Sequence, residues 1–164
     1  MRRLLHLTLA WLVGWALQAH AAEPATPATL DPRVETALQA AKLAYGIDAG
    51  DFRLKFDLDA TRSQVVWVAS GTWKVEDYET RDVWSVAARG PGKVPAELAS
   101  HLLTENARMI LGSWQVNQGT DEYLVVFSAA VPATVDADTL REVIEVVALS
   151  TDRIEKELDP TDEF

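Results

Sequence analysis

Apolar and polar side chains alternate in the stretch 51–58, and a period of two predicts a half-buried β-strand. In 51–58, charged residues separate the apolar positions Phe52, Leu54, Phe56 and Leu58. The stretches 64–75 and 80–89 are rich in valine and tryptophan, which favour extended structure. The acidic run 76–79 between them predicts an exposed hairpin tip. Together the three stretches predict an antiparallel meander.

Apolar spacings of three and four predict helices before and after these strands. The first helix begins at an N-cap, Asp31, and its apolar stripe reaches Tyr45 before Gly46 ends it. The second begins near Pro95, and we expect it to end at Gly112. The apolar positions of this second helix are Leu98, Leu102, Leu103, Met109 and Ile110.

A third helix with Asp136 and Asp138 as candidate caps follows a second hairpin. The hairpin strands are 113–116 and 123–129, with a tight turn in 117–121. The apolar positions of the helix are Leu140, Val143, Ile144, Val147, Thr151, Ile154 and Leu158. The order helix, three strands, helix, two strands, helix predicts an α+β domain, in which three helices cover one face of a five-stranded antiparallel sheet.

The N-terminus has the pattern of a secretory signal peptide, residues 1–21. A basic start and about 14 apolar residues precede a small-x-small cleavage signal, which predicts cleavage near Ala21 or Ala22. The apolar run is shorter than the roughly 20 residues that a membrane helix needs. We predict that residues 22–30 form a flexible spacer and that residues 31–159 form the folded domain. Residues 160–164 are predicted to be a frayed acidic tail. We therefore expect an exported, periplasmic protein.

The composition narrows the classes of partner. The formal net charge is −10, and such a surface repels nucleic acid and anionic lipid. Cysteine is absent, which excludes disulfides and a lipid-modified cysteine anchor. We expect a soluble mature chain that does not insert into the membrane, and no cofactor.

Catalytic residue types are scarce. His101 is the only histidine that remains after the predicted cleavage, and one imidazole without cysteine makes no usual zinc site. No serine lies in a G-x-S-x-G motif. We therefore expect no enzyme, and a structural role for His101.

For two further groups of charged residues, the sequence allows either a structural role or ligand binding. The acidic group Glu76, Asp77, Glu79 and Asp82 lacks the spacing of a calcium loop, and a solvated hairpin tip is favoured. Arg89 and Lys93 flank a glycine-containing loop before the second helix, a setting that can bind an anion. A strand-to-helix connection needs the same glycine and proline for its own geometry.

Four tryptophans remain after the predicted cleavage. Large aromatic side chains are the usual anchors of protein interfaces, and the alternative is core packing. We predict partner binding by Trp67, Trp73 and Trp84, with Trp73 exposed and at least one of Trp67 and Trp84 facing the core. Val146 and Leu149 widen the apolar stripe of the third helix, which suggests a surface buried in a homodimer.

This order of elements resembles the type III secretion chaperone-like fold, including the YbjN-type domains of bacterial proteins. The most specific segments are LTEN at 103–106 with Met109, DEYLVVFSA at 121–129, and the run from Leu140 to TDRIE at 151–155. The resemblance implies protein binding, typically by a homodimer that holds an extended client segment along apolar surface, and it implies no catalytic residues. Secretion chaperones proper are cytosolic, whereas this chain carries an export signal.

Two functions of different classes remain open from the sequence. The first is an exported, non-catalytic, chaperone-like module that binds a protein or peptide partner through the aromatic residues of its sheet. The second is a periplasmic carrier of a small apolar or lipid ligand, held between helix and sheet.

Overall fold

The computed structural model describes residues 29–159, which form three helices and seven strands. The helices are α1 (Pro32–Ala40), α2 (Ala96–Asn106) and α3 (Ala137–Leu158). The strands are β1 (Gly46–Asp48), β2 (Asp51–Asp57), β3 (Ser63–Val68), β4 (Trp73–Val75), β5 (Tyr78–Pro91), β6 (Ser113–Gln118) and β7 (Glu122–Pro132). The predicted α+β class is confirmed. The signal peptide (1–21), the spacer up to residue 28 and the tail (160–164) lie outside the described residues.

The strands form one antiparallel sheet in the order β1-β2-β3-β5-β7-β6, and β4 pairs with the beginning of β5. Strands β2, β3 and β5 are the predicted meander, and β6 with β7 is the predicted second hairpin. Helix α3 packs on β3, β5 and β7, α2 packs on β6, and α1 packs on α3. The helices therefore cover one face of the sheet. Within residues 29–159 the opposite face carries no helix.

The predicted stretch 64–75 is two strands rather than one. The carbonyl oxygens of Ala69 and Ser70 accept hydrogen bonds of 2.7 and 3.4 Å from the guanidinium of Arg81. The Ser70 N–H donates to the Asp51 carboxylate over 2.9 Å. Because these backbone groups bond to side chains, regular pairing stops between β3 and β4.

Strand β1 is the other addition to the predicted five strands. It has only three residues, which is too short for an alternating pattern to stand out. A two-residue turn joins it to β2, with φ of 49° at Ala49 and 92° at Gly50. Positive φ at both central residues suits the twist of a tight hairpin.

Helix α1 ends at Ala40, so the predicted end near Gly46 was wrong. Lys42 has a φ of 57°, and the Leu43 N–H donates to the Leu38 carbonyl over 3.0 Å. This is the hydrogen bond of a Schellman motif, in which a lysine occupies the left-handed position that glycine usually fills. Because glycine is the usual signal of a helix end, Gly46 indicated an end that lies beyond the true one.

Helix α2 also ends early, at Asn106 rather than at Gly112. The Asn106 side chain accepts a hydrogen bond from the Trp114 N–H (2.6 Å) and donates to the Trp114 carbonyl (3.1 Å). It thereby occupies backbone groups of the edge strand β6, a common protection against edge-to-edge pairing. Leu103 and Ile110, predicted on the apolar stripe, are exposed.

The apolar stripe of α3 is confirmed, except that Leu158 is exposed. The Asp136 carboxylate caps the helix by accepting from the Asp138 and Thr139 N–H groups, whereas the other candidate, Asp138, lies in the first turn. The core-facing side chains of the sheet and helices form one apolar cluster that includes Phe52 and Phe127.

Candidate partner-binding surface

A row of paired residues crosses the sheet on the face opposite the helices, which we call the outer face. Strand pairing places Arg53 beside Trp67 and Trp67 beside Trp84. Trp84 pairs in turn with Ser128, and Ser128 with Ser113 at the edge strand β6. Because side chains at paired positions share a face, all five lie on the outer face.

The two tryptophans in this row are stacked. Their ring centroids lie 4.5 Å apart and their planes differ by 9°. The guanidinium carbon of Arg53 lies 5.9 Å from the centroid of the Trp67 ring, within the range of a cation–π contact. The Trp67 indole N–H donates to the Asp48 carboxylate over 3.0 Å. Contacts with Arg53 and Asp48 therefore fix the position of the Trp67 ring, and stacking on Trp67 fixes that of Trp84.

Both Trp67 and Trp84 are half-buried on the outer face, so the expectation that one of them faces the core was wrong. The core-facing tryptophan is Trp114, which is 5% exposed and packs with its ring centroid 4.9 Å from that of Phe127. Strand β3 is central and apolar on both sides, so its residues alone do not reveal which side faces the helices. Pairing of Trp67 with the charged Arg53 decides it.

Beside Trp84 the outer face has a depression of about 200 Å³, which we call the Trp84 depression. It is lined by Asp82, Trp84, Gln115, Asn117, Val126 and Ser128. Its place follows from the row, because the two positions after Trp84 are serines, whose short side chains leave space next to the indole.

Trp73, Val75 and Tyr78 extend the outer face beyond the end of β7. They belong to the β4–β5 hairpin, which we call the hairpin arm (residues 73–80). Val75 pairs with Tyr78, and Trp73 with Thr80, which lies four residues before Trp84 on the same side of β5. Trp73 is 74% exposed, as predicted, and Val75 and Tyr78 are similarly exposed. All three predicted partner-binding tryptophans therefore share one face.

The hairpin arm is tied to the helical side through Glu79. Its carboxylate accepts hydrogen bonds of 2.9 and 3.0 Å from the guanidinium of Arg33 in α1. The hydrogen bond from Arg33 lowers the pKa of Glu79 to about 2, and Thr72 adds to the effect. Of the predicted acidic group, Glu76 and Asp77 form the exposed turn of the arm.

The four residues of the predicted acidic group therefore lie in different surroundings and do not form one cluster. Glu79 pairs with Arg33 of α1, while Asp82 lines the Trp84 depression. Within residues 29–159, no three histidine or acidic side chains converge closely enough to hold a metal ion. The same range contains no helix long and apolar enough to cross a membrane.

The remaining predicted residues lie away from the outer-face aromatics. His101 of α2 has its Nε2 3.2 Å from a carboxylate oxygen of Glu157 in α3, an exposed contact between two helices. Val146 and Leu149 lie on the exposed side of α3 and are available to a partner. Their role as a dimer surface stays a prediction.

Arg89 lies near the end of β5 rather than in the predicted loop, and an open groove of about 650 Å³ adjoins this end of the strand. Arg89 lines this groove, whereas Lys93 does not. The acidic residues Asp121 and Glu122 line the same groove, and their charge opposes the anion that was considered for this segment.

Comparisons with known proteins give no family and no function for this chain. No protein-family model and no curated protein matches the chain. Among solved structures, the chain is similar to the crystal structure of YbjN from E. coli, with a TM-score of 0.48 and 10% sequence identity. The match covers 79% of this chain and 90% of that one. YbjN belongs to the group of domains that the sequence resembles, and the likeness assigns no role to any residue here.

Proposed function

We propose that this protein is an exported, non-catalytic binding module that holds a segment of a protein partner against its outer face. The observation that carries the proposal is the gathering of Trp67, Trp73 and Trp84 on one helix-free face. Tryptophan is the residue type most enriched among the energetic centres of protein interfaces. Exposed, contiguous apolar surface with a polar rim is typical of such sites.

The shape of this surface supports a segment rather than a globular partner as the ligand. The stacked Trp67 and Trp84 form a fixed platform, and the hairpin arm with Trp73 projects beyond β7. A segment that runs along β5, from Trp84 towards Thr80, would contact both the platform and Trp73. Preorganised aromatic side chains lose little conformational entropy on binding, which favours affinity for such a flexible ligand.

Replacing both platform residues, Trp67→Ala with Trp84→Ala, is expected to weaken peptide binding at least tenfold. The reason is that truncation of an aromatic anchor typically costs about 2 kcal/mol or more, roughly thirtyfold in affinity. The measurement is binding of the purified protein to an array of immobilised dodecapeptides of varied composition, with titration of the peptides that the unchanged protein binds best.

Leu103→Ala with Ile110→Ala is the matched control, because it removes exposed apolar side chains on the helical side and should leave peptide binding intact. Trp73→Ala provides a second variant, since its exposed side chain can be removed with little effect on folding. The proposal fails if the double tryptophan variant, folded by circular dichroism, binds the same peptides as strongly as the unchanged protein.

Export is part of the proposal and has its own prediction. Expression of the full chain in a bacterium is expected to give a protein in the periplasmic fraction that begins at Ala22 or Glu23, because the apolar run and the small residues at 19 and 21 fit a signal peptidase site. Intact mass and N-terminal sequencing measure the result. A chain that keeps Met1 and stays in the cytoplasm would refute export.

The alternative of a periplasmic carrier for a small apolar or lipid ligand stays a prediction. Native mass spectrometry of the purified protein separates the two functions. A bound small molecule that persists in the double tryptophan variant would favour the carrier.

A further inference from the structure

The aromatic stack on the outer face is covered at one end and open at the other. The guanidinium of Arg53 lies over Trp67, and Trp67 stacks on Trp84. On the other side of Trp84 the row continues with Ser128 and Ser113. The Trp84 depression occupies that position, and its volume of about 200 Å³ suits a single large side chain. A planar group entering it would extend the stack.

The lining of the Trp84 depression is rich in hydrogen-bond acceptors. It includes the carboxylate of Asp82 and the amides of Gln115 and Asn117, and no lysine, arginine or histidine. Within residues 29–159, none of these three side chains forms a hydrogen bond or an ion pair. An unpaired carboxylate next to an open indole face therefore remains available to a ligand.

These features favour a planar cation over other ligands. Arginine stacks its guanidinium on tryptophan, offers five donors in one plane and is less strongly hydrated than lysine. A carboxylate accepts two of those donors side by side. The net charge of −10 also attracts a cationic partner over long range. A neutral planar group would gain the stacking but would leave the Asp82 charge unpaired.

We propose that the Trp84 depression is a binding subsite for an arginine side chain of the partner segment, with the guanidinium stacked on Trp84 and paired with Asp82. This inference rests on the proposed function and specifies the chemistry of the segment. The subsite repeats, between two molecules, the contact that Arg53 makes with Trp67 at the other end of the stack.

The test uses a fluorescein-labelled dodecapeptide with arginine at every second position and valine or serine between. Matched peptides carry lysine or citrulline instead, citrulline being planar but neutral. Fluorescence polarisation with the purified exported protein is expected to give about tenfold weaker binding for the citrulline peptide, and an intermediate affinity for the lysine peptide.

Asp82→Asn is expected to weaken the arginine peptide about tenfold and to leave the citrulline peptide unchanged, because only the charged pair is lost. Asp57→Asn is the matched control, since it removes one exposed carboxylate of the outer face on β2, away from the depression. Equal weakening by both variants would mean a general charge effect and would overturn the subsite.

Other outcomes separate the subsite from the proposed function. If arginine and citrulline peptides bind equally, and Trp67→Ala with Trp84→Ala abolishes both, the subsite is wrong and the proposed function stands. If no peptide binds but a soluble oligosaccharide such as chitohexaose does, with loss in Trp84→Ala, the depression is a sugar site and both proposals are wrong. Arginine-selective binding that needs Trp84 and Asp82 supports the subsite.

Discussion

Replacing Arg62 by methionine is expected to lower the free energy of unfolding by about 3–5 kcal/mol, the usual cost of removing one partner from a buried ion pair. Arg62 precedes β3, and its buried guanidinium forms ion pairs with Asp152 and Glu155 of α3. Burial by itself raises the pKa of Asp152, but hydrogen bonds from Arg62 and Lys156 outweigh it and hold this pKa below its usual value. The variant would leave both acids without that guanidinium. Urea unfolding followed by circular dichroism measures the loss.

The pH dependence of this loss distinguishes charge from packing. A carboxylate that is buried without its guanidinium has a raised pKa in the folded state. Such a group is tolerated at low pH, where it is protonated, and it lowers the free energy of unfolding of the protein as the pH rises and the group ionises. The deficit of Arg62→Met should therefore be smaller at about pH 5 than at about pH 7. Arg108→Met is the control and should have little effect, because Arg108 is exposed and Glu105 keeps its ion pair with Arg153. Equal deficits at both pH values would indicate lost packing.

The elements of the fold that local periodicity determines were predictable. Strand β2 and helix α3 each bury a stripe that repeats along the sequence, at a period of two and of 3.6 respectively. The points where elements end were less predictable, because partners distant in the chain decide them. Helix α2 ends at Asn106, whose side chain forms a hydrogen bond with the backbone of Trp114. Strand β3 ends before Ala69, whose carbonyl accepts a hydrogen bond from Arg81.

The candidate site was predictable as a set of tryptophans but not as an arrangement. Trp67 lies in a run that is apolar on both sides, so only its pairing with Arg53 reveals its face. The polar lining of the Trp84 depression was missed. A signal for it existed: Asp82 lies two residues before Trp84, and Gln115 alternates with the buried Trp114 on β6. Which of these positions become neighbours depends on strand order, which periodicity does not supply.

The second large loss is expected for Arg81→Met, again about 3–5 kcal/mol because a buried charged network loses its cation. Arg81 is only 1% exposed and lies on the core face of β5. Its guanidinium is 2.6 Å from an Asp31 carboxylate oxygen and donates to the carbonyls of Ala69 and Ala133. It also donates to the Ser70 carbonyl, and the variant removes the hydrogen bonds to all four acceptors. Guanidinium chloride unfolding measures the effect, with Arg33→Met as a control that keeps the Asp31–Arg81 pair.

Acid titration of the same network tests the role of Asp31. The hydrogen bond from Arg33 is the largest cause that places the pKa of Asp31 far below its ordinary value; burial opposes it, and Arg81 adds to the lowering. Because the folded pKa is lowered, ionised Asp31 contributes its full stability above about pH 4, and the contribution is lost as the pH falls through the folded value. Asp31→Asn should therefore start less stable at neutral pH and lose less stability than the unchanged protein between about pH 4 and about pH 2. Parallel curves for the two proteins would assign the acid sensitivity to other carboxylates, such as Glu79, whose pKa Arg33 lowers to about 2.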